Sequence, residues 1–266
     1  MHHNKKHIGA GAAVAILTLI LVLFFTGHYP VVVIGDNFIS ASHVRENEAI
    51  ARKMDPNASA AEILNQLVTN EKMKHLTNSH RIKHSDERFE NELNFITNSN
   101  KQVYQELLNQ YFEGNKSKFE EFVVAPQVYR SLLQMKYNSD FSDAKVLAKA
   151  QEILNQLDNG KSFEELAKTK SADKISRQLG GDLGFVSKSE ILPELFEAVE
   201  TSRVGEVNRQ IIISRAGYHI VYPVETTERS GEKVWHLKHI LIESEGFDQW
   251  LKQELDKVNV WRLMVS

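Results

Sequence analysis

Gly180-Gly181-Asp182-Leu183-Gly184-Phe185 is the stretch whose reading decides the fold. Two adjacent glycines and an acid make a tight turn in which positive φ is tolerated. Further on, Gly217-Tyr218-His219-Ile220 sets a histidine on a strand directly after a glycine. Between them Pro193 opens a short helix over Glu194–Glu200, and Gly205-Glu206-Val207 leads to a strand at Ile211–Ile213; the next strand runs over Gly217–Val224. Upstream, Ser142-Asp143 starts a helix over Ala144–Leu157 that stops at Asp158-Asn159-Gly160, a C-cap. Ser162 starts another helix through Lys168, and Ser171-Ala172-Asp173 precedes the glycine turn.

In that order the Gly-Lys-Ser-Phe loop, Ser-x-Asp, Gly-Gly-Asp-Leu-Gly, Pro-Glu-Leu-Phe, Gly-Glu-Val and Gly-Tyr-His-Ile resemble the parvulin family of peptidyl-prolyl cis-trans isomerases across 143–224. The resemblance implies an α+β fold built on an antiparallel four-stranded sheet with helices, and an activity on other polypeptides that needs no cofactor or metal. It implies a proline pocket formed by Leu183, Ile191 and Leu195, with Phe196 beside them. Leu195 stands where many relatives have phenylalanine, a departure that leaves the pocket's shape open, and Phe196 directly follows it. By the same resemblance Asp173 matches a position held by aspartate or cysteine, and His219 is the last-strand histidine. Ser214 falls near the family's hydroxyl, in a loop one residue longer than expected.

Parvulins usually begin with a strand of the type x-His-Ile-Leu-Val, whose histidine pairs with that of the last strand. Here Val128, Leu132 and Met135, with Tyr129 and Leu133, follow helical spacing instead, so 127–137 reads as a helix. The matching strand comes afterwards, as Leu237-Lys238-His239-Ile240-Leu241-Ile242-Glu243. A hairpin through Ser230-Gly231 would join it to the His219 strand and make the domain a circular permutation. A tip centred on Arg229 would set 219 opposite 239, on one face of the sheet. Asp173, His219, His239 and Ser214 would then form one hydrogen-bonded set that fixes tautomers without having to move protons. The competing reading keeps 233–243 in the neighbouring helical region. Each residue also has an ordinary reading: Asp173 as a helix cap, the histidines as structural strand residues, Leu183 and Ile191 as plain core.

Before this core, residues 1–28 read as a cytoplasmic tip and a transmembrane anchor. No charge occurs from Ile8 to Gly27, and about twenty helical residues span a bilayer. Lys5 and Lys6 precede the run and no Lys or Arg follows until Arg45, which places the bulk of the chain outside the cytoplasm. A cleaved signal peptide is the rival, and a buried core helix a third reading. From 29 to 138 the order is the strand Val31–Ile34, a turn at Gly35-Asp36-Asn37, then several helices. Ser40 or Ser42 caps the first; Ser59-x-x-Glu62 is a capping box; Ser85 caps a third; Ser117 begins one that Pro126 kinks or restarts. Val31–Ser40, Ala61–Val68 and Ser85–Ile96 resemble the chaperone region of SurA-, PrsA- and PpiD-type foldases, an unrelated helical spacer being the alternative. Residues 246–266, with Trp250 and an alternating Val258–Leu263, are expected to complete that region, so that 139–245 is an inserted parvulin-like domain.

The 266-residue chain is 42% apolar and 25% charged, enough for a real core, with net charge −3 and no cysteine. Nothing in it reads as a nucleic-acid footprint. His80 and His84 have i,i+4 spacing but no third ligand. Two functions follow from the resemblance: a membrane-anchored isomerase acting on unfolded or proline-containing exported polypeptides, or a holdase chaperone of the same build with little turnover.

Overall fold

The computed structural model describes residues 18, 22–23, 25–82, 87–99, 101–141 and 144–263. Strands β1 (Pro30–Ile34) and β2 (Asn37–Ser40) form an antiparallel hairpin. The Ser40 hydroxyl, rather than that of Ser42, accepts from the His43 N–H and starts α1 (Ala41–Met54). Ser59 and Glu62 form the reciprocal capping box that opens α2 (Ala60–Ser79). Helices α3 (Glu87–Ser99) and α4 (Lys101–Phe112) follow. Asn115, not Ser117, caps the short α5 (Lys116–Phe119) through the Lys118 N–H. A π-helical stretch, Glu120–Val124, then runs into α6 (Ala125–Asp140). Pro126 has no N–H to give and its ring crowds the preceding turn; widening that turn to π geometry keeps the helix going instead of breaking it. The Ser85 cap, the Ser142-Asp143 helix start and His84 lie outside the described residues, as does most of the span expected over residues 8–27. Among the described residues no helix is long and apolar enough to cross a membrane.

Next come α7 (Ala144–Asp158), α8 (Phe163–Lys170), α9 (Lys174–Gln178), β3 (Asp182–Val186), α10 (Pro193–Thr201), β4 (Ile212–Ser214), β5 (Gly217–Arg229), β6 (Glu232–Ile242), α11 (Phe247–Lys257) and β7 (Val260–Arg262). Two antiparallel sheets result, one ordered β2-β1-β7 and one ordered β3-β6-β5-β4. The strand bearing His239 is therefore an inner strand of the four-stranded sheet, which excludes its assignment to the helical region. On one face of this sheet Tyr218, Ile220, Ile240 and Ile242 pack under Val146, Ala150, Ile153 and Leu154 of α7. On the other, Val221, Trp235 and Leu237 pack under Leu195, Phe196 and Val199 of α10.

The β5–β6 hairpin corrects the expected register. Its turn is Ser230-Gly231, both at positive φ (56° and 80°), as a two-residue primed hairpin turn requires. Near the tip Arg229 faces Glu232 and Glu225 faces His236. Continued unbroken, that ladder would set 219 opposite 242 and throw His219 and His239 onto opposite faces. A β-bulge between Pro223 and Glu225 takes up one residue. Pro223, which cannot donate to a ladder, sits beside this irregularity. Below it Val221 faces His239 and His219 faces Leu241. The histidines are thus diagonal neighbours on one face, two positions from the direct opposition expected.

The helical body has its own core, in which Phe89, Val128, Leu132 and Leu133 of the earlier helices meet Phe247 and Leu251 of α11. Strand β7 pairs with β1, Trp261 facing Val33. Truncation after Glu245 removes α11 and β7 together. Since burying a side chain such as Leu or Phe contributes about 2–5 kcal/mol, the urea-unfolding free energy is expected to fall by about 4 kcal/mol or more. An unchanged urea midpoint would contradict this packing.

Candidate functional site

The glycine turn sets the site by bringing backbone against backbone. Gly181, at φ +86°, accepts the His239 N–H through its carbonyl at 2.8 Å. A Cβ there would lie 2.4 Å from the His239 carbonyl oxygen, so only glycine allows the turn to press on β6. Asp182 then accepts from the Gly184 N–H at 2.7 Å and pairs with His236 at 2.9 Å, fastening β3 to β6. On the far side of His239, the Ala172 N–H donates to the Leu241 carbonyl at 2.7 Å and the Leu241 N–H donates to the Ser171 hydroxyl at 3.1 Å. That segment delivers Asp173 to the histidine.

Asp173 does two things. Its Oδ1 caps α9 by accepting from the Ile175 N–H at 3.1 Å. Its Oδ2 lies 2.9 Å from His239 Nε2 and accepts from the Ser176 hydroxyl at 2.5 Å. Ser176 Oγ is itself 3.0 Å from His239 Nε2. His239 Nδ1 is 3.3 Å from His219 Nδ1, with the rings stacked at 5.5 Å between centroids. His219 Nε2 is 2.8 Å from Ser214 Oγ, which accepts from the Ala216 N–H at 3.0 Å.

One assignment of protons satisfies every contact. An ionised Asp173 requires the His239 proton on Nε2. That leaves His239 Nδ1 an acceptor for the proton on His219 Nδ1, and His219 Nε2 an acceptor for the Ser214 hydroxyl. The hydrogen bonds then run in one direction, from Ser214 through His219 and His239 to Asp173. Electrostatics agree. Burial, and then the neighbouring His239, push the His219 pKa down to about 3. Burial also lowers that of His239, against the opposing pull of Asp173. For Asp173 burial acts to raise the pKa, but hydrogen bonds from Ser176, His239 and the Ile175 N–H outweigh it and the net shift is downward. Both imidazoles are neutral and the carboxylate is charged at pH 7.

His219 and His239 are 1% and 6% exposed, whereas the Asp173 side chain is 25% exposed. The carboxylate is thus the end of the chain that solvent or a ligand reaches. The expected pocket residues share one apolar cluster on the histidine face of the sheet, but unequally. Ile191, Leu195 and Phe196 are buried, and Leu183, Val186 and Leu192 form the partly open rim. Phe196 meets Trp235 edge-on at 5.4 Å and faces a groove between α3 and α10. Ser176, Trp235 and Leu237 were not anticipated. Ser176 had a signal in the sequence, standing three residues after Asp173 where a cap residue's side chain reaches. Of the two spaced histidines, His80 packs against the Trp250 ring at 6.3 Å.

Two predictions follow from this geometry. For His219 the folded pKa lies below the ordinary 6.5, so the unfolded chain takes up the proton first as pH falls. Stability is complete above about pH 6.5 and is lost progressively towards pH 3, at up to about 1.4 kcal/mol per pH unit for one proton. His239 and Asp173 act in the same direction. Urea titrations between pH 7 and pH 4 should show this slope, and His219→Gln should flatten it; equal slopes would contradict the buried neutral ring. Gly181→Ala should cost about 2 kcal/mol or more through positive φ and the clash with β6, and a wild-type urea midpoint in that variant would contradict the close approach.

Residues 132–225 match the rotamase family model, a PPIC-type PPIASE domain. That match stops short of β6, so the strand carrying His239 lies beyond it. Over 140 residues, half of the chain, the sequence is 29% identical to a "Chaperone SurA" from Nitrosospira multiformis, covering 31% of that protein. It is 42% identical over 72 residues (27% of the chain, 25% of the relative) to "Foldase protein PrsA 2" of Bacillus cereus. It is 41% identical over 93 residues (35% and 14%) to "Periplasmic chaperone PpiD" of Haemophilus influenzae. The chain spans less than a third of the length of each of these three relatives. Residues 132–225, which hold the glycine turn, Asp173 and His219, are thus a PPIC-type peptidyl-prolyl isomerase domain of the parvulin type by this match.

Proposed function

We propose that this protein is a foldase that accelerates cis-trans isomerisation of X-Pro bonds in exported polypeptides, acting outside the cytoplasm from an N-terminal membrane anchor. Residues 29–138 with 246–266 would serve as a chaperone region, and 139–245 as the inserted, circularly permuted isomerase unit. The observation that carries the reading is the unbroken set of hydrogen-bond contacts from Ser214 through His219 and His239 to Asp173, lying on the same sheet face as an apolar cluster on which Leu183 is partly open. The extracytoplasmic setting rests on the uncharged run from Ile8 to Gly27 and on the likeness to a chaperone called periplasmic.

Isomerisation crosses a barrier of about 18–20 kcal/mol because the twisted amide loses its resonance. No bond is made or broken, so neither a nucleophile nor a metal is needed. The planar amide is the more dipolar form, with negative charge drawn onto its oxygen. An apolar, water-poor surface under the prolyl ring therefore disfavours the planar form relative to the twisted one. Leu183 and its rim neighbours would supply that surface. Asp173 is the candidate catalytic residue, as the partly exposed charged group of the hydrogen-bonded set. His239, His219 and Ser214 are positioning residues: buried and neutral, they hold that carboxylate ionised and fixed. Each ~1.4 kcal/mol of preference for the twisted amide gives a tenfold acceleration.

One observation favours the holdase instead. Ile191 and Leu195, expected to touch proline, are 5% and 3% exposed and fill the core. A protease-coupled proline-peptide assay on the purified chain separates the two readings. Wild type should accelerate isomerisation, and Asp173→Ala and His239→Ala should each lower kcat/KM by about tenfold. A wild type indifferent to such peptides leaves only the holdase. Full activity in both variants would remove the assigned site.

A further inference from the structure

The turn that carries Ser214 is gripped from outside the sheet. At the end of α6 the Asn138 side chain, fully buried, donates through Nδ2 to the Ser214 carbonyl at 2.6 Å. Its Oδ1 accepts from the Ser244 hydroxyl at 2.5 Å, and its backbone carbonyl accepts from the Tyr218 hydroxyl at 2.5 Å. One asparagine thus holds the residue before the β4–β5 turn, the residue before His219, and the exit of β6. Next to Ser214, Arg215 reaches into the helical body. Its guanidinium pairs with the buried Glu92 of α3, lies 3.2 Å from Ser131 Oγ of α6 and stacks 4.8 Å over the Phe95 ring. Ser131 also donates to Glu92 at 2.5 Å.

A buried ion pair adds little stability against an apolar replacement, because both charges leave water. What it does supply is geometry, since a guanidinium and carboxylate with fixed partners permit one docking orientation. Ser214 receives that geometry directly. Fixing its carbonyl on Asn138 orients the peptide that follows it, and so places the Ala216 N–H that holds the Ser214 hydroxyl aimed at His219 Nε2. The proton arrangement derived above begins at that hydroxyl. It therefore depends on a group from α6, outside the four-stranded sheet.

We propose that Asn138 is a positioning residue for the isomerase site, through which the docked helical body holds Ser214 on His219. The proposal rests on the isomerase reading for its activity arm only; the histidine ring reports on it independently. The experiment uses the full chain with Asn138→Ala in the Ser214 and Ser214→Ala backgrounds. With Ser214 present, Asn138→Ala should lower kcat/KM about fivefold and move the His219 Nε2 resonance in ¹⁵N NMR. With Ser214→Ala the same change should have almost no further effect. Ser244→Ala, which only frees the other end of the Asn138 amide, is the milder variant. It should lower kcat/KM about twofold, and it carries the test if Asn138→Ala does not fold. Equal losses in both backgrounds, or an unmoved His219 resonance in the folded variants, would overturn the proposal. A wild type without isomerase activity whose His219 resonance still follows Asn138 would support the positioning and overturn the isomerase reading instead.

Discussion

A hydrogen bond between two imidazoles on neighbouring strands sets the terms for the rest of this domain. His219 and His239 meet at 3.3 Å between Nδ1 atoms, and they can do so only from the same face of the sheet. With a period of two, face is a matter of parity. A two-residue turn at Ser230-Gly231 gives the wrong parity, and the bulge beside Pro223 restores it. Because the rings are diagonal rather than opposed, they stack with a ring nitrogen of each turned outwards, one to Ser214 and one to Asp173. Direct opposition was neither needed nor adopted.

The same constraint explains the company the pair keeps. Two neutral, almost fully buried imidazoles are costly unless each ring nitrogen has a partner. Ser214, Ser176 and Asp173 meet that requirement, and the glycine turn and the Ser171–Asp173 segment exist in this geometry to deliver the last two. Gly181 has to be glycine because the turn lies against the backbone of His239 itself. Both histidines belong to one hairpin, a pairing local in sequence.

Much of this was legible in the sequence because glycines and histidines leave specific traces. The glycine turn and the α7 helix have patterns with a physical cause, whereas Asp173, His219, His239 and Ser214 could be named only through the resemblance to the parvulin family. The register was not legible, since a bulge inserts one residue without any marker beyond a proline in a strand. Nor could the sequence say how deeply Ile191, Leu195 and Phe196 sit, because a pocket lining and a core wall are written in the same apolar residues. Asn138 was invisible for another reason. A single polar residue on a helix gives no periodic signal, and its importance appears only when the strands it touches are in place.

The central claim is the direction of the hydrogen bonds through the two rings, and it can be read at neutral pH from ¹⁵N-labelled histidine in the full chain. The expected result is a scalar coupling between the two Nδ1 atoms, with the shared proton on His219 and the other ring proton of the pair on His239 Nε2. Two uncoupled rings, or a proton on Nδ1 of His239 instead, would contradict it.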